Sequence, residues 1–110
     1  MNELVQRLSE GDHPVAITRA EGDAKEFKAM IDREYVLVKF TNTRGGTELG
    51  YKLDQERSEL DGGDFENGTG SVKVVGELNL NYVDVRCVAT IDLSNLEGTG
   101  HLEILEKEEA

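Results

Sequence analysis

The second half of the chain has the clearest alternation of apolar and polar residues. Apolar side chains recur at alternate positions in two stretches, Val72, Val74, Leu78 and Leu80, then Val83, Val85, Cys87, Ala89, Ile91 and Leu93. Such alternation is typical of strands that bury one face. The parity of the apolar positions changes between Leu80 and Val83, so a turn or bulge must lie near residues 79–82. The pattern predicts two strands joined by a hairpin or a sharp corner.

Two short helices are predicted in the first third of the chain. Leu4, Val5 and Leu8 share one helical face and Gly11 follows them, which predicts a helix near residues 2–10. A second helix is predicted near residues 23–32, where Asp23 and Glu26 have the spacing of a capping box.

Further strands are predicted on both sides of the second helix and near the end of the chain. Residues 15–18 predict a short strand, and dense β-formers at 35–40 are followed by alternating apolar residues at 49–53. Gly45 and Gly46 favour a hairpin between the latter two. Residues 95–100 predict a turn, and Leu102 and Ile104 begin a last strand before an acidic tail at 106–110.

Together these elements predict a mainly β, α+β fold in one domain that covers residues 1–110. We expect a small antiparallel sheet or barrel of about five to six strands with one or two short N-terminal helices. A glycine-rich acidic stretch at residues 54–70 contains few apolar anchors, so it is predicted to be a long loop inside that domain.

The charge balance limits the classes of partner that the chain could bind. The chain has 23 acidic and 12 basic residues and a formal net charge of -11. Such a surface repels phosphate backbones and anionic lipids, so direct binding to nucleic acid or to a membrane is not expected. A basic protein partner would be attracted, and a nucleic-acid mimic that inhibits a nucleic-acid-binding protein is a further alternative.

Cysteine and histidine are too scarce for a disulfide framework or a thiol zinc site. Cys87 is the single cysteine, and the two histidines are His13 and His101. With no signal-like start to the sequence, this composition predicts a cytoplasmic protein. Gly45-Gly46 and residues 98–100 lack the setting of a phosphate loop and are interpreted as turns. No cofactor, metal or catalytic residue is predicted, and Cys87 is interpreted as a core residue.

The leading functional hypothesis is a non-enzymatic interaction module that docks on a basic partner through the acidic stretch. Calcium binding is disfavoured there because the ligand spacing does not match an EF-hand. The predicted partner-binding residues are Asp54, Glu56, Glu59, Asp61, Asp64 and Glu66.

A second hypothesis belongs to a different class, a small-molecule binding or isomerase/cyclase-type β-barrel with an aliphatic cavity. Its predicted ligand-binding residues are Tyr35, Tyr51, Tyr82 and Arg86. A separate, less favoured candidate is a catalytic thiol at Cys87 assisted by His13 or His101. A homodimer formed through an edge strand, or through the helix that carries Leu4 and Leu8, is also left open.

Overall fold

The computed structural model describes residues 3–18, 23–43, 45–80 and 82–105. Within these ranges the chain forms two helices and seven strands: α1 Glu3–Ser9, β1 His13–Ala16, α2 Ala24–Asp32, β2 Tyr35–Phe40, β3 Thr47–Lys52, β4 Gly63–Asp64, β5 Thr69–Leu80, β6 Val83–Asp92 and β7 Glu97–Ile104. Neither helix in the described part of the chain is long and apolar enough to cross a membrane.

The seven strands form one antiparallel sheet in the order β3-β2-β1-β7-β6-β5-β4. The sheet curls into a half-barrel, so β3 approaches β5. There the Tyr51 hydroxyl donates to the Val74 carbonyl at 3.1 Å, and the Asp54 amide donates to the Val75 carbonyl at 2.7 Å. The predicted fold class is confirmed, and β4 is a short additional strand at the edge of the sheet.

The inner face of the half-barrel and the two helices form the hydrophobic core. Fully buried aliphatic side chains line β2, β5, β6 and β7, which explains the strict alternation in the sequence. α1 packs against β7 and inserts Val5 and Leu8, both 0% exposed, while α2 inserts Phe27, Met30 and Ile31. Each fully buried side chain of this size contributes about 1.5–3 kcal/mol. Leu8 is therefore unavailable for pairing two copies of the chain.

Both helices occupy the predicted regions. The carboxylate of Asp23 accepts a hydrogen bond from the Lys25 amide at 2.8 Å, so this residue caps α2 as its position in the sequence suggests. The predicted first helix included residue 2, which lies outside the described residues.

The change of parity after β5 does mark a hairpin. Leu80 of β5 pairs with Val83 of β6, so the two strands meet across a tight connection that contains Tyr82. Position 81 lies outside the described residues, whereas Tyr82 has a φ of 69°, in the left-handed region that favours glycine. The predicted hairpin is confirmed.

The turn predicted at residues 95–100 is wrong in its second half, because β7 already begins at Glu97. The chain turns at residues 93–96, and Gly98 and Gly100 lie within the strand. A Cβ atom at position 98 would collide with the Thr90 carbonyl oxygen, so glycine permits a close approach of β7 to β6. The acidic tail at 106–110 lies outside the described residues.

Candidate protein-binding surfaces

The acidic loop, residues 54–66, runs along the outer edge of β5. The Glu59 amide donates to the Lys73 carbonyl at 2.9 Å, and the Lys73 amide donates back to the Glu59 carbonyl at 2.8 Å. Further along, β4 pairs with the first residues of β5. The stretch predicted to be a long loop within the domain is thus attached to β5, because the backbone groups along that edge of the strand require partners.

Two of the six predicted partner-binding acids hold turns within this loop. Asp54 accepts hydrogen bonds from the amides of Glu56 at 3.1 Å and Arg57 at 3.3 Å, and it pairs with the Arg57 guanidinium at 3.2 Å. Asp64 does the same in the next turn, as described below. Aspartate favours such turns because its carboxylate replaces a backbone acceptor.

Asp64 accepts hydrogen bonds from the amides of Glu66 and Asn67, both at 3.1 Å, and from Asn67 Nδ2 at 2.7 Å. These donors lower the pKa of the Asp64 carboxyl, with the Asn67 side chain contributing most. Asp64 therefore stays ionised and keeps the end of the loop in one conformation.

The remaining acids of the loop point to solvent. Glu56, Asp61 and Glu66 are exposed, and their carboxylates form no hydrogen bond or ion pair with the described residues. Glu59 lies 3.7 Å from Lys73 Nζ, and its side chain is 77% exposed, so this pair is largely solvated. These four carboxylates are the part of the predicted site that a partner could contact directly.

The four residues of the alternative small-molecule site do not meet in one cavity. Tyr51 is buried and points into the core, where burial raises its pKa well above the ordinary value for a tyrosine. Tyr35 is 51% exposed and its ring lies over Gly50, while Tyr82 is completely exposed at the β5–β6 turn. Successive strand residues face opposite sides of a sheet, which separates Tyr35 from Tyr51.

Arg86 lies on the outer face of the sheet, between two glutamates on the neighbouring strands. Its guanidinium is 3.4 Å from Glu77 and 3.2 Å from Glu103, and Arg86 Nε is buried without a partner among the described residues. The pKa of Glu103 is lowered, first by its hydrogen bond to His101 and also by Arg86. Arg86 thus ties three strands together on the face opposite the core.

Cys87 is a core residue, as predicted. It is 0% exposed on the inner face of β6, and burial raises the pKa of its thiol to about 12. His101 lies on the outer face, where it contacts Asp12 and Glu103, and His13 contacts the end of α1. The structure therefore does not place a histidine as a base for this thiol.

The sequence did not single out an apolar surface, here called the hairpin end, at the β5–β6 turn. β6 pairs with β7 only as far as Val85 and Ile104, so the turn projects beyond β7. The hairpin end consists of the apolar residues Leu78, Leu80, Tyr82, Val83 and Ile104. Tyr82 is 100% exposed and Ile104 is 36% exposed, and the other three side chains are half-buried. The large aromatic residue at a predicted tight turn was the available signal.

Shallow cavities accompany these surfaces. One of about 610 Å³ lies between the acidic loop and the outer face of the sheet, where Ser58, Asp61, Lys73 and Thr90 contribute to its walls. Across residues 3–18, 23–43, 45–80 and 82–105, no group of three or more His, Cys, Asp or Glu side chains is arranged to hold a metal ion.

Comparison with known proteins identifies a family for the chain. The chain matches no curated protein. The family model described as core binding factor beta subunit matches residues 18–110, which include α2, strands β2 to β7, the acidic loop and the hairpin end. Proteins of this family are non-enzymatic subunits that bind partner proteins. The chain therefore belongs to the core binding factor beta subunit family.

Proposed function

We propose that this chain is a non-enzymatic subunit that docks on a basic protein partner, with an apolar contact at the hairpin end and electrostatic attraction from the acidic loop. The observation that carries the proposal is the complete exposure of Tyr82 in a family whose members bind proteins. The two surfaces have different roles because apolar burial and charge affect binding in different ways.

The hairpin end supplies the apolar part of the contact. Aromatic residues dominate the energetics of protein interfaces because they bury a large area at a small cost in conformational entropy. Tyr82 projects from the turn, and Leu80 and Val83 on either side are half-buried. The acidic side chains of Glu77, Asp84 and Glu103 border this surface, which suits a partner whose apolar contact residues are surrounded by basic ones.

The acidic loop supplies long-range attraction. Glu56, Asp61 and Glu66 are exposed and make no intramolecular pair with the described residues, so a partner gains their charge without breaking an existing contact. In a chain of net charge -11, the added local field raises the rate of encounter with a basic protein.

The family binds Runt-domain proteins, and we assign the partner of this chain to the same class. The first experiment measures association and dissociation rates of the chain with a purified Runt-domain protein. Tyr82→Ser is expected to weaken binding about ten- to thirty-fold, mainly through faster dissociation. Tyr35→Ser is the matched control, since Tyr35 is also an exposed tyrosine but lies on another part of the sheet.

Two results would overturn this part of the proposal. One is the absence of binding to the Runt-domain protein, which would reject the partner class. The other is an equal effect of Tyr82→Ser and Tyr35→Ser, which would remove the hairpin end from the contact.

A second variant tests the acidic loop. Glu56→Gln, Asp61→Asn and Glu66→Gln together are expected to lower the association rate and its dependence on salt, while the dissociation rate changes little. The matched control, Glu3→Gln with Glu26→Gln and Glu97→Gln, removes the same charge from exposed positions elsewhere. If both triple variants slow association equally, net charge rather than the loop attracts the partner.

We also propose that the chain works in a reducing compartment, as expected for a cytoplasmic protein. This is supported by Cys87, a single thiol held in the core where it forms no disulfide.

A further inference from the structure

Helix α1 packs against β7 of the half-barrel and is joined to β1 by a short link. Its buried face consists of Val5 and Leu8, and the link, residues 10–12, contains Gly11, whose φ of 72° lies in the left-handed region typical of a helix end. The link also carries Asp12, and both histidines of the chain contact either the link or the end of the helix. α1 lies before the segment that matches the family.

His13 closes the C-terminal end of α1. Its Nε2 atom lies 2.8 Å from the Arg7 carbonyl oxygen and 2.9 Å from the Glu10 carbonyl oxygen, so this nitrogen must carry the proton and donate. Its Nδ1 atom is 2.9 Å from Asn42 Nδ2, which can donate to it. A neutral imidazole therefore satisfies every contact at His13, and these contacts do not require a change of charge.

His101 has a different arrangement, because acidic oxygens face both of its nitrogens. Nδ1 is 3.3 Å from Asp12 Oδ1 in the link, and Nε2 is 3.2 Å from Glu103 Oε2 on the same strand. A neutral imidazole has one N–H, so it can donate to only one of these carboxylates. Only the imidazolium donates to both and joins the link to the outer face of β7.

Charged groups face His101 from the link, from its own strand and from β6. The facing groups are the carboxylates of Asp12 and Glu103 and, from β6, the guanidinium of Arg86, which Glu77 and Glu103 already pair. The residue opposite His101 on β6 is Val88, which is uncharged. The Glu103 carboxyl has a lowered pKa and stays ionised in the range where histidine titrates.

We propose that His101 is a pH-sensitive clamp: when protonated it binds both Asp12 and Glu103 and holds the α1–β1 link against β7, and when neutral it releases one of the two carboxylates and loosens the attachment of α1 to β7. The His13 contacts at the end of α1 do not involve His101, so the proposed change concerns how often the helix opens. This device is independent of the proposed partner binding.

Hydrogen exchange of the α1 amides in the full chain tests the clamp, because it reports local opening. Protection factors, corrected for the intrinsic effect of pH, are expected to fall about two- to ten-fold between about pH 5.5 and about pH 8. His101→Gln has one amide group as donor and does not titrate. At both pH values this variant is expected to give the low protection that the wild type shows at the higher pH. Asp12→Asn removes the acceptor charge and is expected to give the same flat profile.

Two controls separate the clamp from general effects of charge. Lys28→Gln removes an exposed ion pair with Asp32 in α2, and His13→Asn removes the other histidine. Both are expected to retain the pH dependence of α1, although His13→Asn lowers protection at every pH. The proposal is overturned if wild-type protection is constant across this range, or if His101→Gln shows the wild-type pH dependence.

Discussion

The Ser58 side chain pairs with the main chain of Val75 as a neighbouring strand would. Ser58 Oγ accepts a hydrogen bond from the Val75 amide at 2.9 Å and donates to the Val75 carbonyl at 3.4 Å. Val75 is 2% exposed, so its backbone groups have little access to water. One hydroxyl thus completes the edge of β5 where the acidic loop leaves the strand register.

Replacing this hydroxyl leaves a buried amide without a partner. Ser58→Ala is expected to lower the free energy of unfolding by about 1–3 kcal/mol, measured by urea denaturation. Ser94→Ala is the matched control, because the Ser94 hydroxyl is exposed and bonds to Asp92 within a turn. A loss below that of Ser94→Ala would mean that water replaces the hydroxyl at Val75.

Tyr82 combines full exposure with a backbone conformation that costs energy for a side chain with a Cβ atom. Tyr82→Gly is expected to raise the free energy of unfolding by about 1 kcal/mol, because glycine adopts a positive φ without that cost. Tyr82→Ala retains the strained backbone and is not expected to stabilise the protein. Since we propose that Tyr82 contacts the partner, Tyr82→Gly is also expected to lower the affinity for that partner. A glycine variant that is no more stable than the wild type would show that the backbone at position 82 is not strained.

Gly98 is required by the close approach of β7 to β6. Gly98→Ala places a Cβ atom against the Thr90 carbonyl oxygen, so we expect a loss of about 3 kcal/mol or more in thermal or chemical unfolding. Thr99→Ser, at an exposed neighbouring position, is expected to change stability by less than about 0.5 kcal/mol. A cost below about 1 kcal/mol for Gly98→Ala would show that the two strands can separate at this point.

Stability is expected to fall in acid. The carboxyls of Asp64, Asp92 and Glu103 have lowered pKa values in the folded protein, mainly because of hydrogen bonds from Asn67, Ser94 and His101 respectively. The folded state therefore binds fewer protons, so the stabilisation is present above the unfolded values, near pH 4, and is lost as the pH falls through the folded ones.

Denaturant unfolding as a function of pH measures this loss. Asp64→Asn keeps a turn acceptor but cannot titrate, so its stability is expected to decline less steeply below about pH 4 than that of the wild type. Asp61→Asn removes an exposed carboxylate that holds no turn, and it is expected to retain the wild-type slope. Equal slopes for wild type and Asp64→Asn would contradict the assignment.

The local pattern of apolar, polar and capping residues was sufficient to predict most of the fold. The change of parity between Leu80 and Val83 located the hairpin, and the cap at Asp23 located α2, because both signals lie within a few residues of the feature they specify. The start of β7 was missed because Gly98 and Gly100 have the sequence of a turn. Their actual role is a close approach to β6, which depends on contacts between strands.

The candidate surfaces were only partly accessible to sequence reasoning. Charge identified the acidic loop, yet the sequence could not distinguish Asp54 and Asp64, which hold turns, from Glu56 and Asp61, which face solvent. The tyrosines were grouped by type, but their separation depends on the face of the strand that each occupies. The hairpin end depends on β7 being shorter than the β5–β6 pair, and strand length relative to a neighbour is a tertiary property.

The position of β1 has a kinetic consequence. β2 with β3, and β5 with β6 and β7, pair between strands that follow one another closely along the chain, so each group can form early. The pairing of His13 with Gly100 and of Val15 with Phe40 instead joins the two groups across long stretches of sequence. We therefore expect the contacts of β1 to form late, as those between β3 and β5 do, so that destabilising β1 speeds unfolding while the folding rate stays nearly constant.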